Sequence, residues 1–245
     1  MIKLILVTIS IFIIPGAAVG LYSGAINLSN NSQIFNPLLT GVFLGVLLYL
    51  LFLRKWEAFN VFEHEFTHAI VALCFFRKVK KFVVTKRSGG YVSYSPGFGG
   101  EFANAIITLA PYFLPTFTIF AIILRNFVPL NWFPWYDGFT GLTFGYHLLS
   151  NFDEIRQNWN KKTFYLAGTS TTSHTDIGKY GYISAFFVIC AATLFIHGLI
   201  VWGFTAKSSG ILTYLKIIYQ YATIMYNYLL NAVILLFEFV KSHFN

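Results

Sequence analysis

The sequence has little charge and almost no cysteine. Charged residues make up 11% of the 245 residues, whereas a soluble domain carries about a quarter, and hydrophobic residues make up 56%. So few charges cannot cover a surface that faces water, which excludes an ordinary soluble protein and predicts an integral membrane protein. The two cysteines, Cys74 and Cys190, lie in apolar stretches, which excludes a disulfide framework and a cysteine zinc cluster.

Acidic residues are also scarce. The sequence has nine acidic and 17 basic residues, which gives a formal net charge of +8. In a membrane protein, an excess of basic residues indicates how the chain is oriented in the membrane and that it contacts the lipid bilayer. We therefore predict no nucleic-acid partner. No pattern in the sequence indicates an oligomeric state.

Long apolar runs recur along the chain and predict about six transmembrane helices. We therefore expect an all-α, multi-pass membrane protein that forms a single domain over residues 1–245. The run that starts at Leu4 also resembles a signal peptide, but we favour an uncleaved first span because other spans follow closely. The apolar or helical runs lie at 4–25, 38–53, 57–76, 103–124, 140–155, 177–204 and 211–240, and Pro111 and Pro115 interrupt the fourth.

A basic stretch follows the third run. Six of the 17 basic residues lie between Arg77 and Arg87, and Ser88-Gly89-Gly90 then precedes Tyr91–Tyr94. Two short β-prone segments joined by a glycine turn predict a β-hairpin. A short loop this basic is expected at the cytoplasmic face of the membrane. Its open edge could bind another extended chain by strand addition.

The third helix carries Glu63-His64-Glu65-Phe66-Thr67-His68, which is an H-E-x-x-H element. Residues four apart share one face of a helix, so His64 and His68 can direct two imidazole nitrogens at one metal ion. Glu65 lies beside the first ligand and can take a proton from a metal-bound water. Polar side chains are costly in a membrane helix and usually mark function there, which favours a metal site over two packed histidines.

From this helix onward the chain resembles the intramembrane zinc metalloproteases of the site-2 protease group, peptidase family M50, especially their compact bacterial M50B-like branch. The resemblance covers residues 57–205, a protease-like core between peripheral spans at 1–56 and 206–245. It implies a Zn²⁺ cofactor, a membrane-protein or peptide substrate, and a location in a bacterial cytoplasmic membrane. It rests on the H-E-x-x-H helix, the hairpin with Gly89-Gly90-Tyr91-Val92, the broken helix with Ala110-Pro111-Tyr112-Phe113-Leu114-Pro115, and a late aspartate before another span.

The resemblance also implies a third zinc ligand, an aspartate from a later segment. Many family members carry it in an N-x-x-P-x-x-P-x-D-G run, which this sequence lacks. Asp176 is the nearest match to the aspartate that precedes a span in the M50B-like branch, Asp153 is its rival, and Asp137 among interfacial residues is the weakest candidate. The predicted site residues are His64, His68 and Asp176 as metal ligands, Asp153 as the alternative third ligand, and Glu65 as the catalytic base.

Two functions fit these residues. The first is an intramembrane zinc metalloprotease that hydrolyses peptide bonds of membrane-protein substrates through a zinc-activated water. The alternative is a catalytically inactive zinc-binding membrane scaffold that binds membrane partners. Glu65 favours the enzyme, because a purely structural zinc site uses four protein ligands and needs no base. A small transporter is the least favoured, because the other spans hold too few charged residues for a relay.

Overall fold

The structure is a computed structural model that describes residues 1–85, 89–166 and 175–244. Over these residues its regular secondary structure is helical apart from one two-stranded antiparallel sheet. Short 3₁₀ turns lie at Leu53–Lys55, Ala110–Tyr112 and Leu130–Trp132. The elements are α1 (Ile2–Ser29), α2 (Ser32–Leu51), α3 (Glu57–Cys74), β1 (Val79–Thr85), β2 (Gly89–Tyr94), α4 (Gly100–Leu109), α5 (Thr116–Arg125), α6 (Phe133–Leu166), α7 (Asp176–Tyr180) and α8 (Tyr182–Phe244).

Several of these helices can cross a membrane by length and composition. The segments are Ile2–Ser29, Ser32–Leu51, Tyr182–Thr205 and Ser209–Lys241, and α4 with α5 makes a fifth if that bent pair is one span. The predicted all-α membrane fold with a small hairpin is confirmed, with four or five candidate spans in the described ranges where about six were predicted. The helices α3 and α6 are outside this set, since α3 carries three glutamates and α6 is much more polar than the candidate spans. The cytoplasmic position of the hairpin stays a prediction.

The chain divides into two compact units, one formed by Lys3–Asn30 with the chain from Cys190 onward, the other by Asn31–Ile189. The second unit holds all the predicted site residues. The division does not test the prediction of a single membrane domain.

In the first unit, α1 packs against α8 through small residues. A Cβ on Gly20 would lie 2.5 Å from the ring of Tyr214, which is fully buried. The Tyr214 hydroxyl donates to the Leu194 carbonyl at 2.8 Å, although twenty residues separate the two. Twenty residues of straight helix span about 30 Å, so α8 turns back on itself between these two residues.

Several predicted boundaries were wrong, among them the start of α2, which lies at Ser32 instead of residue 38, and two others lie near the candidate site. Helix α6 runs over Phe133–Leu166, well beyond the predicted 140–155. Beyond residue 155, Asn158 is buried and donates to the hydroxyl of Tyr112, so this polar part of the chain packs as helix instead of forming a solvated loop. Gly89 and Gly90 belong to β2, where they pair with Thr85 and Val84, and not to the turn. Residues 86–88 lie outside the described part of the chain.

In the second unit, α2 and α6 cross at close range through four glycines. These are Gly41 and Gly45 on α2, and Gly141 and Gly145 on α6. A Cβ added to any of them would lie 2.9 Å or less from a backbone carbonyl carbon of the other helix. Small residues let membrane helices approach in this way. The contact holds α6, which carries part of the candidate site, directly against α2.

The prolines break the fourth apolar run as predicted, and α4 and α5 meet at 85°. Pro111 has no N–H, so it cannot donate to the carbonyl of Ile107, four residues earlier. The Thr116 N–H donates to the Leu114 carbonyl, so it does not make the usual helical hydrogen bond to the carbonyl of Tyr112. The bend therefore offers two backbone acceptors, Ile107 and Tyr112, to neighbouring helices.

Candidate metal centre

The candidate site lies where α3 and α7 meet. His64 and His68 are one turn apart on α3, and Asp176 is the first residue of α7. The Nε2 atoms of the two histidines are 3.0 Å apart. Oδ2 of Asp176 is 3.3 Å from Nε2 of His64 and 3.2 Å from Nε2 of His68. The structure thus brings together the three residues that were predicted as metal ligands.

The spacing of these three atoms suits zinc. Ligands about 2.0–2.1 Å from a tetrahedral zinc ion lie about 3.3 Å from one another, which follows from the geometry of a tetrahedron. The three distances here run from 3.0 to 3.3 Å. Imidazole nitrogen and carboxylate oxygen are also usual zinc ligands, and three protein ligands leave a fourth position open, as in catalytic sites.

His68 is oriented by the proline bend. Its Nδ1 lies 2.6 Å from the carbonyl oxygen of Ile107, the acceptor that Pro111 leaves without a helical donor. A carbonyl oxygen only accepts, so Nδ1 carries the proton and the neutral ring presents the Nε2 lone pair to the cluster. The proline that breaks the helix thereby fixes the orientation of a candidate ligand on α3.

His64 is held by α6. Its Nδ1 lies 2.5 Å from Oε1 of Glu154, with that oxygen off the N–H direction of the ring. The ring also packs edge-on against Tyr112, with 5.6 Å between the centroids. Sequence reasoning missed Glu154, although a signal existed. Polar residues recur along α6 at intervals of four and three, which marks one helix face: His147, Asn151, Glu154 and Asn158.

Asp176 is fixed by its own short helix. Thr175 caps α7 with its side chain, so the carboxylate of Asp176 is not the cap. Oδ1 of Asp176 binds Nζ of Lys179 at 3.0 Å, which leaves Oδ2 for the histidines. Its Oδ2 is a carboxylate oxygen beside both histidine Nε2 atoms, and carboxylate oxygen is a usual zinc ligand.

The other two aspartates lie away from this cluster. Asp153, on α6, has Oδ2 2.9 Å from Nε of Arg54 and 3.0 Å from the hydroxyl of Tyr49. Asp137 binds Arg125 through both carboxylate oxygens. Over the described ranges, the group of residues that could hold a metal ion includes neither aspartate.

Glu65 is buried beside the cluster, with 7% of its surface exposed. Its carboxylate interacts electrostatically with His64, His68 and Asp176, but it is not part of the group of candidate ligands found in the described residues. Strand β2 covers it, because a Cβ on Gly90 would lie only 2.6 Å from Cγ of Glu65. A glycine is needed at this position for the strand to approach so closely.

Two other polar residues near the site have structural partners. Arg77, part of the basic stretch, is buried and donates to the carbonyl of Gly100 at 2.9 Å and to Oδ1 of Asn104 at 2.5 Å, which ties the end of α3 to the start of α4. Asn151 of α6 donates to the freed Tyr112 carbonyl at 2.5 Å. The Asn151 contact holds the bend against α6, whereas the Arg77 contacts hold the start of α4 against the end of α3.

These features define a class: an integral membrane protein with a candidate metal centre built from two histidines of one helix and an aspartate of another. Residues 38–129 match the family model described as Peptidase M50B-like. The match covers less than half of the chain, and over that segment the chain is similar to a family of peptidases. The matched segment contains His64, Glu65 and His68, whereas Asp176 and Glu154 lie beyond it. No curated protein and no solved structure matches the chain.

Proposed function

We propose that the chain is an intramembrane zinc metalloprotease that hydrolyses peptide bonds of membrane-protein substrates. The observation that carries the proposal is the convergence of His64, His68 and Asp176 next to the buried carboxylate of Glu65. The M50B-like match supports the protease part. We also propose, from the resemblance, a bacterial cytoplasmic membrane as its location.

In this proposal His64, His68 and Asp176 hold the zinc ion. A zinc ion bound there supplies a Lewis acid that makes water a nucleophile near neutral pH and polarises a carbonyl oxygen. Glu65 accepts the proton of the attacking water on its carboxylate and returns it to the leaving amine. Its position under β2 limits the access of bulk water to this proton.

We further propose that the substrate binds as an extended strand along the hairpin. A helical substrate hides its carbonyls in its own hydrogen bonds, so the bond to be cleaved must be presented in extended chain. Strand β2 lies over Glu65 and pairs with β1 alone among the described strands, which leaves its other edge for strand addition. Phe62 on α3 packs against Phe82 on β1 at 5.9 Å between centroids and keeps the hairpin on the helix that carries Glu65.

A proline in β2 tests this binding mode. Val92→Pro removes a backbone N–H from the strand and is expected to lower the cleavage rate about tenfold, the effect of roughly one lost hydrogen bond. Val92→Ala keeps the N–H and should retain most of the activity. Equal rates for Val92→Pro and wild type would contradict strand addition, and equal melting temperatures would show that the hairpin itself is intact.

The function is tested on the full chain purified in detergent without chelators. We expect about one zinc per chain by metal analysis, since the three residues form one site. We also expect cleavage of detergent-solubilised transmembrane peptides that stops after chelation and returns when zinc is added. A folded wild type without zinc would contradict the proposal. Bound zinc without cleavage would favour the inactive scaffold.

A further inference from the structure

Glu154 has no part in the mechanism above, yet it is the carboxylate closest to a candidate ligand. Its Oε1 lies 2.5 Å from Nδ1 of His64. This Nδ1 is buried and makes no hydrogen bond in the described part of the chain, because the Glu154 oxygen beside it lies off the N–H direction of the ring. Burying a ring N–H without an acceptor costs free energy, and the negative charge of a carboxylate beside it offsets part of that cost.

We propose that Glu154 is a positioning residue that keeps the proton of His64 on Nδ1 and so directs the Nε2 lone pair toward the zinc ion. The inference rests on the proposed zinc site. A carboxylate beside a ligating imidazole fixes the tautomer of the ring and makes it a stronger ligand. The two histidines are then oriented differently, His68 by the backbone carbonyl of Ile107 and His64 by a side chain from another helix.

Neighbouring residues of α6 hold Glu154 in register with His64. Asn151, three residues earlier, donates to the carbonyl of Tyr112 at 2.5 Å. Asn158, four residues later, donates to the hydroxyl of the same tyrosine at 3.2 Å. Because Tyr112 packs against His64, these two contacts fix the part of α6 that lies between them.

Glu154 does not act as a fourth ligand. Its contact is with Nδ1, the nitrogen on the far side of the ring from Asp176 and His68. The candidate ligand group in the described ranges accordingly omits Glu154. Its effect on the metal must pass through the orientation of His64.

The test is the zinc dissociation constant of the full chain in detergent, measured by competition with a chelator. Glu154→Ala removes the carboxylate beside Nδ1 and is expected to weaken zinc binding about 10–100-fold. Glu154→Gln keeps a polar oxygen beside Nδ1 but loses the charge, so its affinity should lie between those of wild type and Glu154→Ala. Glu101→Ala, at an exposed position on α4, is the control and should bind zinc as wild type does.

The melting temperature of the zinc-free protein separates positioning from folding. We expect Glu154→Gln to melt as wild type does while its zinc affinity is lower. Unchanged zinc affinity in Glu154→Ala would overturn the inference. So would a loss of affinity that follows a lower melting temperature and is equal in the glutamine and alanine variants. A wild type without zinc would instead overturn the proposed function, and the inference with it.

Discussion

Glu65→Gln is expected to lose peptide hydrolysis by about 10²–10⁴-fold, the usual contribution of a general base, while it keeps about one zinc per chain. Glutamine has the same shape but cannot take up the proton of the attacking water. Glu65 is not among the candidate ligands of the described residues, so the metal should stay bound. Cleavage rate and zinc content are measured on the same preparation.

The control for this variant is Glu57→Gln, an exposed carboxylate at the start of the same helix. It should cleave at the wild-type rate. Glu65→Gln activity within about tenfold of wild type would show that another group acts as the base. Loss of zinc in Glu65→Gln would show that Glu65 binds the metal.

The second large effect concerns the ligands. His68→Ala and Asp176→Ala are each expected to weaken zinc binding by more than about 100-fold, because the loss of an outer-shell partner already costs 10–100-fold. Asp153→Ala should keep its zinc. It leaves Arg54 without its carboxylate partner, so we expect a lower melting temperature at unchanged metal content.

Metal analysis of the three variants decides between the two predicted third ligands. If Asp153→Ala lost its zinc and Asp176→Ala kept it, the assignment made from the structure would be reversed. If both aspartate variants kept zinc while His68→Ala lost it, the third ligand would be a group other than these two carboxylates.

The part of the site that lies within one helix could be predicted from the sequence. Helix periodicity alone places His64 and His68 on one face and Glu65 beside them. Asp176 is more than 100 residues further along the chain. The spacing of residues could not separate it from Asp153, and only the resemblance favoured it. The distinction is tertiary, because α7 brings one aspartate to α3 while Arg54 and Tyr49 hold the other.

The groups that orient the two histidines were harder to predict. A backbone carbonyl such as that of Ile107 has no signature of its own, and only the proline four residues later marks it as available. Glu154 was missed because the apolar pattern weakens in the second half of α6, although its polar residues keep helical spacing. The hairpin was predicted correctly in kind, but its glycines were assigned to a turn, since contact between Gly90 and Glu65 cannot be read from local sequence.

The glycine contact between α2 and α6 also affects how precisely the residues around the candidate metal centre are placed. Interlocked backbones resist sliding, and a slip of α6 by one turn, about 5.4 Å, would replace Glu154 with Ser150 or Asn158 opposite His64. Helix α2 supplies none of the candidate ligands, yet its contact with α6 fixes where along the axis of α6 the Glu154 carboxylate lies. The alignment of a candidate zinc ligand therefore depends on the absence of side chains at four positions that lie outside the candidate site.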